Sequence, residues 1–144
     1  MIWLLRHGAA EDADGDDAAR PLTEKGRRQA VAAGKALVEL GVEIDLCFAS
    51  PKLRGIETAR IACAALGIEP QTSEALRGGD FDPGEVAGGG EQVLLVGHEP
   101  DLSRAVHLAT GARIELKKGG VAAIDGALLA CLLRPAQLRR IAGV

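Results

Sequence analysis

A chain of 144 residues, 47% of them hydrophobic, has the length and apolar content for one globular domain over residues 1–144, which excludes a disordered segment. Its 17 basic side chains against 20 acidic ones give a net charge of −3, and only 2% of residues are aromatic, which argues against a nucleic-acid binder working by bulk charge or base stacking. No apolar run approaches the roughly 20 residues of a membrane span, and Met1–Arg6 lacks the basic leader and apolar length of a secretory signal, so a cytoplasmic protein with no membrane partner is expected.

Ile2-Trp3-Leu4-Leu5 is continuously apolar, as in a strand covered on both faces. The stretch Ala9 to Arg20, with Asp12, Asp14, Asp16 and Asp17 around Gly15, reads as an acidic loop. Thr23 then caps a helix in which Ala30, Val31, Gly34, Leu37 and Val38 recur at helical spacing, and Gly41 stops it. Ile44 to Ala49 is a second strand. Ser50-Pro51 predicts the next helix start, a serine cap followed by proline at the first helical position, with Leu53, Ile56, Ala59, Cys63 and Leu66 as its buried stripe.

A short third strand falls within Gly67 to Leu76, and the glycine-rich, acidic segment Gly78 to Gly90 has room for one helical turn near Pro83 to Val86. Gln92 to Val96 is the clearest buried strand. Glu99-Pro100-Asp101 opens a helix with Leu102, Ala105, Val106 and Ala109 inward. Gly120 to Ile124 and Ala127 to Leu133 form a hairpin or edge pair around Asp125-Gly126, and Pro135 to Ile141 closes the chain as a short helix. Strands alternating with helices predict an α/β fold with a mostly parallel sheet. Cys47, Cys63 and Cys131 match no zinc spacing and read as buried free thiols of a reducing compartment.

Two histidines stand where apolar strands give way to loops: His7 in Arg6-His7-Gly8 and His98 in Val96-Gly97-His98. Ligands of open α/β sheets bind at that carboxyl edge. Phosphoryl transfer to nitrogen needs an unprotonated imidazole, in-line geometry and cations around the equatorial oxygens. His7 supplies the imidazole, Arg6 and Arg54 the planar forks that grip phosphate, and His98 a further donor. His107, alone in the middle of a helix, reads as structural. Lys117-Lys118 read as solvated loop cations or as part of a docking surface for an acidic partner. A metal at His7 and His98 is not expected, because no carboxylate or third histidine stands at ligand spacing, and the chemistry calls for no cofactor.

Four motifs occur in order: Leu5-Arg6-His7-Gly8; Arg20-Pro21-Leu22-Thr23-Glu24-Lys25-Gly26; Ala49-Ser50-Pro51-Lys52-Leu53-Arg54 with Thr58-Ala59; and Val96-Gly97-His98. Together they resemble the histidine phosphatase superfamily, and small size with Gly97-His98-Glu99-Pro100-Asp101-Leu102-Ser103 resembles its SixA-type phosphohistidine phosphatases. The resemblance implies a three-layer α/β/α, phosphoglycerate mutase-like fold. It implies a metal-free phosphoenzyme mechanism in which His7 attacks phosphorus while Arg6, Arg54 and His98 hold the phosphoryl group, and water then releases inorganic phosphate. It also implies a phosphorylated protein substrate such as a histidine phosphotransfer domain.

Many larger members carry a proton-donating glutamate in a Leu-x-Glu context, where this chain reads Leu76-Arg77-Gly78. Glu74, Asp80 and Asp82 are the neighbouring carboxylates, either a substitute acid or solvated loop groups. An alkoxide leaving group needs a positioned acid, whereas the imidazole of phosphohistidine leaves neutral once its distal nitrogen is protonated. The gap therefore favours P–N over P–O substrates. A small-molecule phosphomonoesterase of the same superfamily is the alternative, and a non-catalytic phosphate-binding module a third reading.

Overall fold

The computed structural model describes residues 1–144. Its strands are β1 (Ile2–Arg6), β2 (Leu46–Ala49), β3 (Gln71–Thr72), β4 (Val93–Gly97), β5 (Val121–Asp125) and β6 (Leu128–Leu133). Its helices are α1 (Glu24–Glu39), α2 (Leu53–Leu66), α3 (Pro83–Ala87), α4 (Asp101–Thr110) and α5 (Pro135–Ala142). One sheet runs in the order β3-β2-β4-β1-β5-β6, the first four strands parallel and the β5–β6 hairpin attached antiparallel to β1.

Strand residues alternate between two apolar layers, as the period of two requires. Trp3, Leu5, Leu94 and Val96 face α1, α2 and α5 through Ala33, Leu37, Ala62 and Leu138. On the other face Leu4 packs with Leu102 and Val106 of α4, while Val93 and Leu95 pack with Ala87 of α3. The α/β/α expectation holds. No helix is long and apolar enough to cross a membrane.

The helix faces differ from the predicted stripes. In α1 the buried row is mainly small, with Ala30, Ala32, Ala33, Gly34, Ala36 and Leu37, while Val38 is exposed. A Cβ at Gly34 would stand 2.6 Å from the Ala62 carbonyl oxygen, so small residues let α1 and α2 approach closely. In α2 the buried face is Arg54, Gly55, Thr58, Ala59, Ala62 and Cys63, whereas Leu53, Ile56 and Leu66 are half-buried. Polar residues displace leucine and isoleucine there because this face turns toward the ends of β1 and β4. Cys47 and Cys63 are buried free thiols as expected; Cys131 is half-buried.

β1 and β4 are neighbours, with Arg6 opposite Gly97. The chain leaves β1 toward α1 on one face and leaves β4 toward α4 on the other. Such a divergence opens a crevice at the carboxyl ends of the strands, where α/β folds bind ligands.

Candidate active site

His7 and His98 meet in that crevice, their ring centroids 5.1 Å apart and their planes inclined by 57°. The Nδ1 of His7 lies 2.7 Å from the Gly8 carbonyl oxygen. A carbonyl can only accept, so Nδ1 carries the proton and Nε2 keeps its lone pair. Burial lowers the His7 pKa to about 4 against the upward pull of that hydrogen bond, helped by the charges of Arg54, Arg6 and Lys118. At neutral pH this imidazole is unprotonated and nucleophilic.

The loop after His7 is clamped from several directions. The His7 amide donates to Gly97 O at 3.0 Å, Gly8 N–H to Thr58 Oγ1 at 3.1 Å, and Ala9 N–H to Gln29 Oε1 at 2.8 Å. A Cβ at Gly8 would stand 2.5 Å from the Gly26 carbonyl oxygen, and one at Gly26 would collide with the Ala9 carbonyl. The glycine of Arg6-His7-Gly8 is therefore required by backbone contact with the first turn of α1, and its φ is not positive.

Arg6 is anchored by one bond, from its Nη1 to Leu116 O at 2.8 Å. The Leu116 segment is itself held by the Glu99 carboxylate, which accepts from Leu116 N–H at 3.2 Å and from Ser103. Arg54, almost wholly buried, donates from Nη1 to Asp17 O at 2.9 Å and from Nη2 to Asp17 Oδ2 at 3.2 Å. Arg20 and Lys52 also approach Asp17, at 3.1 and 3.6 Å. Hydrogen bonds from Arg20 and then Arg54 hold the exposed Asp17 carboxyl at a pKa of about 2, a permanent anion. Among the four aspartates of the acidic loop, Asp17 is thus the one tied to the site, a distinction that composition does not make.

Ser50 departs from its predicted role. The helix begins at Leu53, its capping position falls on Lys52, and Ser50 lies ahead of it in a turn. The Ser50 hydroxyl accepts from Lys52 N–H at 3.2 Å and lies 2.7 Å from His98 Nε2. A Ser50 O–H donating to Nε2, the arrangement that gives the hydroxyl an acceptor, leaves the His98 proton on Nδ1. Burial, then the proximity of His7 and Arg54, lowers the His98 pKa to about 3.

Three buried side-chain nitrogens in the molecule have no hydrogen-bond partner: Arg6 Nε, Arg54 Nε and His98 Nδ1. Buried polar groups are nearly always paired. All three orphans belong to the four predicted site residues, and all are donors, a complement for an anion with several oxygens. The fourth residue, His7, offers a bare ring nitrogen beside them.

The remaining candidates lie elsewhere. Glu74 is exposed and ion-paired with Arg77 at 2.8 Å, and that hydrogen bond lowers its pKa, the opposite of what a proton donor near neutrality needs. Asp80 pairs with Arg104 at 3.4 Å and lines a hollow with Leu108 and Ala109. Asp82 accepts from Gly84 N–H as the cap of α3 and lines a hollow with Met1 and Ile2, at the opposite edge of the sheet from His7. His107 is exposed, its Nδ1 3.3 Å from Ala112 O. Lys117 and Lys118 are exposed in the turn before β5, as expected of solvated loop cations, and both line a cleft with Arg6.

Residues 2–88 match the family model of the histidine phosphatase superfamily (branch 1), a span that holds Arg6, His7 and Arg54 and stops short of His98. An uncharacterized protein of Picosynechococcus sp. is 38% identical over 135 residues, covering 83% of this chain and 81% of its own length. The structure of the protein histidine phosphatase SixA complexed with tungstate is similar with a TM-score of 0.81 at 20% identity, over 95% of this chain and 98% of that one. The alpha-ribazole phosphatase of Shigella flexneri is similar with a TM-score of 0.73 at 18% identity, over 93% and 96%. The mitochondrial serine/threonine-protein phosphatase Pgam5 of Drosophila simulans matches at 41% over 70 residues, where this chain spans 24% of that protein.

Proposed function

Since this chain belongs to the histidine phosphatase superfamily (branch 1) and is a phosphatase by class, we propose that its substrate is phosphohistidine on a signalling or phosphotransfer protein. The observation that carries the reading is the set of three unpartnered buried donors beside a neutral imidazole, while Glu74, Asp80 and Asp82 are each engaged elsewhere. Asp17 is the carboxylate at the site, and at a pKa of about 2 it is an anion.

The reaction runs in two steps. His7 Nε2 attacks phosphorus, a P–N bond forms to His7, and the P–N bond to the substrate imidazole breaks. The leaving ring, protonated at its distal nitrogen, departs neutral, so no enzyme acid is consumed. One P–N bond replaces another, which keeps this step close to balanced in energy. Arg6 Nε, Arg54 Nε and His98 Nδ1–H hold the equatorial oxygens as charge shifts. Water then attacks the phosphorus on His7, a P–O bond forms as the P–Nε2 bond breaks and returns its electron pair to Nε2, the water protons pass to the phosphate, and His7 is regenerated with Nδ1–H still on the Gly8 carbonyl. Ser50 is a positioning residue, setting the His98 tautomer. The three free thiols suit a reducing cytoplasm.

The test is phosphate release from a histidine-phosphorylated phosphotransfer domain beside glycerol phosphate, an alkyl ester, with His7→Ala as the blank. Rapid turnover of the phosphohistidine and slow turnover of the ester is the expected result. Faster ester hydrolysis would favour the small-molecule reading, in keeping with the fold shared with the alpha-ribazole phosphatase.

A further inference from the structure

A cleft of about 620 Å³ runs outward from Arg6 between α1, the loop before β5 and the start of α5. Six cations line it: Arg6, Lys25, Lys117, Lys118, Arg134 and Arg139, against the one carboxylate of Glu115. Of the chain's 17 lysines and arginines, the eight in ion pairs have a carboxylate within 4.0 Å and the other nine have none. Five of those nine line this cleft; only Lys117 among its cations is paired, to Glu115 at 3.1 Å. The molecule is net negative, so the concentration is not a by-product of basic composition. Like charges gathered from separate elements repel one another unless an anion offsets them.

We propose that this cleft binds an acidic stretch of the phosphorylated protein substrate, next to its phosphohistidine. The inference rests on the phosphohistidine phosphatase reading and names the docking surface of that site. Arg6 belongs to both the phosphate-gripping set and the cleft, so a polypeptide that delivers its phosphohistidine to His7 passes directly into it. A lone phosphate is held by two or three cations, whereas unpaired charges spread over four elements suit an extended anion. No aromatic side chain lines the cleft, so it offers bases nothing to stack on, and carboxylates on a polypeptide are the better fit.

The test compares two phosphohistidine peptides, identical except that one carries flanking glutamates and the other glutamines. The readout is the ratio of their kcat/KM within each protein, so any general loss of activity cancels. In the wild type the acidic peptide is expected to be favoured about tenfold at low salt, through KM, and the preference to vanish near about 0.5 M salt. In Lys25→Gln/Arg139→Gln, with thermal unfolding measured to show an intact fold, the ratio falls toward one. Turnover of both peptides with no preference in the wild type overturns the docking surface and leaves the phosphatase reading standing. Failure to hydrolyse either peptide overturns both. Competitive inhibition by an RNA oligonucleotide as strong as that by an unphosphorylated acidic peptide overturns the assignment to polypeptide.

Discussion

The two walls of the site carry the same residue type in opposite surroundings. On the α2 side Arg54 leans on a built-in anion, with Asp17 taking a bond from each of its terminal nitrogens and Lys52 and Arg20 sharing the same carboxylate. On the β5 side Arg6 is held by a single backbone carbonyl and opens onto cations that have almost no acidic partner. A carboxylate fixes a guanidinium and discounts its charge; a carbonyl fixes it and leaves the charge intact. One wall is thus preset for geometry, and the other keeps its field for the arriving anion.

Removing the arginines one at a time is the most severe way to break that contrast. Arg54→Ala removes a phosphate-gripping cation and leaves the Asp17 carboxylate to Arg20 and Lys52 alone, so kcat/KM is expected to fall about 10³-fold, against about 10²-fold for Arg6→Ala. Adding Asp17→Asn restores part of the first loss and none of the second. Equal losses, indifferent to Asp17, would mean that the walls do the same job.

Burial first, then the charge of Arg54, keeps both histidines from taking up a proton, and stability records it. His7 and His98 have folded pKa values of about 4 and about 3, below the 6.5 of the free side chain. The unfolded chain therefore binds more protons, and the stabilisation present above pH 6.5 is lost as pH falls through the folded values. Denaturant unfolding should show stability dropping by about 1.4 kcal/mol per pH unit for each histidine between pH 6 and 4. A slope unchanged in His7→Asn would show that His7 is not held neutral.

Ser50→Ala sharpens the comparison at His98 Nε2, which the α2 side reaches through the Ser50 hydroxyl. We expect kcat to fall about tenfold with KM little changed, as the wrong His98 tautomer becomes populated. Nitrogen chemical shifts of the imidazole would report that change directly, and an unaltered tautomer would leave Ser50 a structural residue only. The smallest effect belongs to Asp17→Asn in the wild-type background. With its discount removed, Arg54 should bind product phosphate about threefold more tightly, read as a lower inhibition constant. Weaker binding would show that the carboxylate matters for aim more than for charge.

The fold, and the meeting of His7 and His98 at the sheet edge, were legible in the sequence for a physical reason. Buried strands announce themselves as apolar runs, and the residue just past such a run must sit at the sheet edge, so His7 and His98 were placed by their neighbours. Ser50 was legible as a residue and misread as a role, since a serine before Pro51 caps a helix in most contexts. Its hydroxyl instead found an imidazole 48 residues away in sequence. Asp17 was illegible for the opposite reason: four aspartates within six residues look alike until the fold brings one of them to Arg54. Gly26 did leave a trace, because glycine in the first turn of a helix costs about 1 kcal/mol relative to alanine and so asks for an explanation, which Gly8 supplies.

The paired glycines have a consequence for how such a site can be redesigned. Gly8 against Gly26, with Ala10 bridged to Leu22 just beyond, ties both feet of the acidic loop to the scaffold. Between those feet Asp17 holds Arg54, while the exposed residues Asp12 to Asp16 hang outside the joint. New sequence spliced between Asp12 and Asp16 would therefore change what is admitted at the rim while leaving the His7 ring where it stands, an exchangeable doorway on a fixed hinge post.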